Sequence, residues 1–170
     1  MTTKTDAGVS DGKFNDMRRI LSVFAGLVCI LSCQPQSELP YTRMRNYYVR
    51  NDAELPVEGK IDDRATFESL FGMATLMGTD GQPTPVDWDG EFVLAVVDPA
   101  TNNQTALDPE SLRQEGEELV FTYTETLGNK QSYWTLPVLM IKVDRKYGTG
   151  SVRFIRHKTG GSGRAVPGNR

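Results

Sequence analysis

One histidine and two cysteines are scattered over 170 residues, and that scarcity removes several kinds of chemistry. A lone His157 cannot build a His-rich zinc site and makes a Ser-His-Asp triad a poor expectation. The pair Cys29 and Cys33 falls short of a four-cysteine zinc frame. Charge of one sign is missing too: 19 Lys and Arg stand against 22 Asp and Glu, a net charge of −3. No basic stripe is therefore available for a phosphate backbone, and nucleic acid is not an expected partner. No internal repeat is visible. No apolar run reaches the roughly 20 residues that a bilayer-spanning helix needs. The length suits one compact domain.

What is present begins with a targeting pattern. Met17-Arg18-Arg19 supplies a positive start, residues 20–31 are an apolar run, and Ser32-Cys33-Gln34-Pro35 closes it. These are the three regions of a secretory signal peptide in order. Ile30-Leu31-Ser32-Cys33 resembles the lipobox of bacterial lipoproteins. That resemblance implies a diacylglycerol on the Cys33 thiol, cleavage just before it, and a further acyl chain on the freed amino group. Two or three chains hold a protein on a membrane where one does so only marginally. On this reading residues 1–16 are an upstream extension ahead of the initiator Met17, 17–32 are the signal peptide, and 33–40 are a polar tether. Cys29 is apolar filler. Gln34 differs from the aspartate that the resemblance associates with inner-membrane retention, so the expected location is the cell envelope, on the outer membrane. With Cys33 acylated, no thiol remains for a disulfide, a nucleophile or a metal.

Beyond the tether the hydrophobic pattern is mostly that of strands. Alternation over 41–50 and 57–61 predicts two of them. Asp62 or Asp63 can cap a helix over about 63–71, where Phe67, Leu70 and Phe71 recur at helical spacing and Gly72 offers a left-handed stop. Residues 73–90, rich in Gly, Pro, Thr and Asp, read as a long surface loop. The run Phe92-Val93-Leu94-Ala95-Val96-Val97 predicts a central strand covered on both faces. A polar loop over 98–104 then leads into a meander over 105–113, 119–127 and 131–143, with turns at Gly116 and Gly128-Asn129, and a last strand over 152–155. The expected fold is α+β and mostly β: an antiparallel meander sheet, or a small sandwich or barrel, with one short helix. One globular domain would occupy 41–156 and a disordered tail 157–170.

Candidate sites are few. The carboxylates Asp62/Asp63, Asp80, Asp87/Asp89 and Glu117/Glu118 could do acid–base work, but capping explains the first pair and a solvated turn the last. Asp80 through Gly90 offers oxygen donors without EF-hand spacing. The glycines of 160–164 have neither a strand before them nor a helix after them, as a phosphate loop requires. No metal site and no cofactor is expected. The polar stretch Thr101, Asn102, Asn103, Gln104 and Thr105 follows the most apolar strand and so rests on a rigid scaffold. Tyr133 and Trp134 are adjacent, point to opposite faces of an extended strand, and leave at least one aromatic free for a partner.

The order of Phe67-Glu68-Ser69-Leu70-Phe71, Val86-Asp87-Trp88, the apolar strand, a polar loop and Leu136-Pro137-Val138-Leu139-Met140-Ile141-Lys142-Val143 resembles the PrcB-like C-terminal domain. Residues 101–105 stand where that family carries a Thr-Gly-Gly-Tyr-like stretch, and they depart from it in having neither glycine nor aromatic residue. The family belongs to lipoproteins that associate with and stabilise a cell-surface protease. The resemblance implies association with an envelope protease; the residues themselves favour a non-enzymatic domain that binds a protein, with residues 101–105 and Tyr133/Trp134 as the contact surface. The alternative is a domain that binds or hydrolyses envelope glycan with the 80–89 loop. That reading calls for Trp88 and Trp134 in one open cleft with carboxylates between them.

Overall fold

The computed structural model describes residues 37–78, 80–148 and 150–160. The chain divides into units Met1–Pro35 and Gln36–Arg170; Cys33, the signal-like segment and residues 161–170 lie outside the described residues. Among the described residues, nine strands and one α-helix follow in order: β1 Thr42–Arg43, β2 Tyr47–Val49, β3 Val57–Ile61, α1 Arg64–Leu70, β4 Phe71–Met73, β5 Glu91–Val97, β6 Thr101–Glu115, β7 Glu118–Thr135, β8 Val138–Asp144 and β9 Val152–Gly160. The fold is α+β and mostly β. Among the described residues, no helix is long and apolar enough to cross a membrane.

Three layers account for the sequence pattern. The middle layer is the sheet β1-β8-β5-β3, in which β5 pairs with β8 and with β3. One face of β5, Phe92, Leu94 and Val96, meets Leu107, Leu112, Leu119, Phe121 and Tyr123 of the second sheet, β6-β7-β9. Its other face, Val93, Ala95 and Val97, meets Phe67 of α1, Phe71 of β4 and Met44. A strand covered on both sides has no position left for a polar residue, which is why 92–97 is uniformly apolar.

The helix starts as its sequence requires. Asp63 accepts from the Thr66 backbone N–H at 2.8 Å and from the Thr66 hydroxyl at 2.8 Å. It ends differently from expectation: the C-cap is Phe71 in extended conformation, and the chain passes straight into β4 without a left-handed glycine. Gly72 instead sits opposite Tyr48 in the β2–β4 ribbon, where a Cβ would lie 2.3 Å from the Tyr48 ring.

Four other expectations are corrected. Residues 41–50 are not one strand, because Asn46 takes φ 62° and turns the chain from β1 into β2, which belongs to another sheet. Gly128-Asn129 is not a turn, since β7 runs through it to Thr135. The meander is broken: β8 leaves for the middle sheet, so β9 returns parallel to β7. Finally β9 runs on through His157 to Gly160, paired with Thr124 to Leu127, so that residues 157–160 belong to the sheet.

Candidate functional site

The polar stretch read as a loop over 98–104 is largely strand: β6 begins at Thr101. Its hairpin with β7 turns at Gly116, whose φ of 65° fits the first loop position of a II′ turn, the one that takes glycine. The ladder is regular from there to Thr105↔Leu127, apart from one shift at Pro109/Ser111. Beyond it the strands fall out of step. Asn103 pairs with Lys130 and Thr101 with Thr135, so β7 spends more residues than β6 over the same span and bulges outward. Where the ladder fails, β6 satisfies its own backbone. The Thr101 hydroxyl accepts from the Asn103 N–H at 3.1 Å, and the Thr105 hydroxyl donates to the Asn103 carbonyl at 3.2 Å.

The surplus residues of β7 carry the exposed aromatics. Tyr133 is 57% and Trp134 68% exposed. The alternation rule allows one of them in the core; the bulge releases both. Tyr133, Gln104 and Thr105 line one cleft of about 320 Å³, together with Arg43, Gln131, Leu136, Pro137 and Val138. Thr101 and Thr105 line a smaller cleft of about 180 Å³ on the other side, with Asp98, Glu125, Leu127 and Arg156. Asn102 and Asn103 line neither.

The second cleft rests on a charged network. Arg156 of β9 grips Asp98 with two bonds of 2.7 and 3.1 Å, donates from Nε to Tyr123 Oη at 2.7 Å, and reaches Glu125 at 3.4 Å. Tyr123 Oη donates in turn to Glu58 of β3 at 2.8 Å. Burial, with the Glu58 acceptor adding to it, pushes the Tyr123 hydroxyl up to about 12. Burial alone draws Arg156 down, but its bonds to Asp98 and Tyr123 outweigh that and hold the guanidinium above its ordinary value. The group thus stays ionised and ties the two sheets together through β3, β7, β9 and the residue that follows β5. Sequence reasoning passed over these residues. The available signal was parity: Leu119, Phe121, Tyr123 and Glu125 share the inward face of β7, and an inward glutamate requires a cation.

The remaining carboxylates do not converge. Asp87 turns its carboxylate to the Asp89 N–H at 3.2 Å, while the Asp87 N–H is held by Glu91. The segment carrying Asp80 is pinned by Asn46, whose side chain donates to the Asp80 and Gln82 carbonyls. Glu117 is the second loop residue of the hairpin turn and Glu118 the first residue of β7. Among the described residues, no group of three or more His, Cys, Asp or Glu could hold a metal ion. Trp88 packs on Phe67 with ring centroids 5.3 Å apart and lines a cleft of about 300 Å³ beside α1. Trp134 does not line that cleft.

No family model, no curated protein and no solved structure matches the chain.

Proposed function

We propose that the chain is a cell-envelope lipoprotein, anchored through Cys33, whose β-rich domain binds another protein without catalysing a reaction. The observation that carries this reading is the pair Tyr133 and Trp134, both exposed on a bulged strand beside a cleft. Rigid aromatics at the centre of a contact surface supply large buried area at small entropic cost, and such residues dominate binding energy at interfaces. The bulge rests on the double-layered core, so these side chains are presented by a fixed scaffold. An envelope protease is the partner class that the resemblance noted above implies, and the outer membrane is the proposed location.

Crosslinked pull-down of the full chain from its own membrane fraction tests the binding reading. A partner recovered with the wild type should be reduced at least tenfold with the double substitution Tyr133→Ala, Trp134→Ala. Equal recovery would overturn it.

A further inference from the structure

The cleft beside Tyr133 is bordered by an unfinished sheet edge. β8 has seven residues, but β1 covers only its Ile141 and Lys142 before the chain departs. The last bond of this pairing is Met44 N–H to the Met140 carbonyl at 2.9 Å. Two residues later Asn46, at φ 62°, carries the chain away to β2. In an antiparallel ladder, backbone groups of alternate residues point to the same side. The Pro137 carbonyl accepts from Asp98, on the β5 side. Val138 therefore points its N–H and C=O to the side that Met140 uses for Met44, and there β1 has already ended. Val138 and its neighbour Leu136 line the cleft.

Two further features describe what would fit. Gln131 Oε1 is buried on the cleft wall with no hydrogen-bond partner among the described residues, and it calls for an N–H. Among the described residues, the only charged side chain lining the cleft is Arg43, which donates to the Leu107 carbonyl at 3.0 Å and pairs with Asp108 at 2.6 Å, the latter between two half-exposed groups. Such a pair contributes little and is easily exchanged for another carboxylate.

We infer that this edge binds an extended, acidic segment of a partner protein, which continues β1 along β8. The partner's backbone bonds Val138 and Gln131, its carboxylate meets Arg43, and Tyr133 closes over it. This is strand addition, in which main-chain bonds give affinity and pockets for alternate side chains give specificity. The inference rests on the protein-binding reading and names the form of its partner.

The test uses a displayed library of linear ten-residue peptides, alternating apolar with acidic residues, panned on the full chain. Recovered peptides should lose at least tenfold in affinity when their backbone is N-methylated at alternate positions. Val138→Pro should weaken them to the same degree, since it removes an outward N–H and no bond of the fold. Arg43→Gln should weaken them and flatten their salt dependence. If Val138→Pro does not fold, the N-methyl series on the wild type decides alone. Peptides indifferent to N-methylation, or a library that yields no binder, would overturn strand addition. The protein-binding reading fails separately, when the Tyr133/Trp134 double substitution leaves partner recovery unchanged.

Discussion

Asp63 and Arg156 are both charged and both hydrogen-bonded, but they differ in what they leave behind when removed. Asp63 is exposed, and the Thr66 backbone N–H and hydroxyl hold its carboxyl below the usual value of 3.8. A lowered carboxyl stabilises the fold above its unfolded value, and the contribution is lost as pH falls through the folded value. Asp63→Ala should therefore lower Tm at neutral pH and make no difference at a pH well below 3.8; melting curves of both proteins across that range check this. Arg156 is the shared cation of Asp98 and Glu125, whose side chains are only 12% and 9% exposed. Arg156→Met strands the buried Asp98 carboxylate, leaves Glu125 to the exposed Lys158 alone, and should cost about 3 kcal/mol in urea unfolding. Lys158, 66% exposed, also pairs with Glu125, yet Lys158→Ala should cost less than about 1 kcal/mol. A cost for Lys158→Ala equal to that for Arg156→Met would contradict the assignment of Arg156 as the clamp between the sheets.

At the scale of elements, β5 and the far end of the β6–β7 hairpin should respond oppositely to truncation. Leu94→Ala opens a cavity in a fully buried strand and should cost about 2–5 kcal/mol. Trp134→Ala removes a larger side chain from the surface and should leave stability within about 0.5 kcal/mol. Chemical denaturation of the two variants separates core from presentation surface. The same contrast governs what was legible in the sequence. β3, β5 and the capped start of α1 follow from local signals: alternation, a continuous apolar run, and an aspartate three residues ahead of the Thr66 N–H that it accepts from. The path through Asn46 and the stretch from Thr101 to Thr105 do not. Polar residues outside the core at the open end of the hairpin have no core face to imprint a period of two, and a single left-handed asparagine leaves the pattern on either side intact. Gly128-Asn129 has the composition of a turn, but the surplus length of β7 over β6 places it in a bulge. The parallel return of β9 depends on β8 crossing to the other sheet, which no local pattern records. At the site, the exposed aromatics were legible as types; the exposure of both, and the Arg156 network beneath them, required the pairing register.

On the scale of the whole molecule, the proposed anchor and the proposed binding surface make independent demands. Acylation at Cys33 predicts that cells fed a radioactive fatty acid label the wild type and not Cys33→Ala; equal labelling would remove the anchor. The binding surface asks only that Tyr133 and Trp134 meet a partner where the domain resides. These side chains lie near the end of β7, and the exposed Thr126 of the same strand offers a polar comparison position. The most direct measurement is a photocrosslinking amino acid placed at position 134, and separately at position 126, in cells making the full chain. A discrete protein adduct from position 134 that is missing from position 126 is the predicted result. No protein adduct at 134, or the same adducts from both positions, would contradict the assignment of this surface to protein binding.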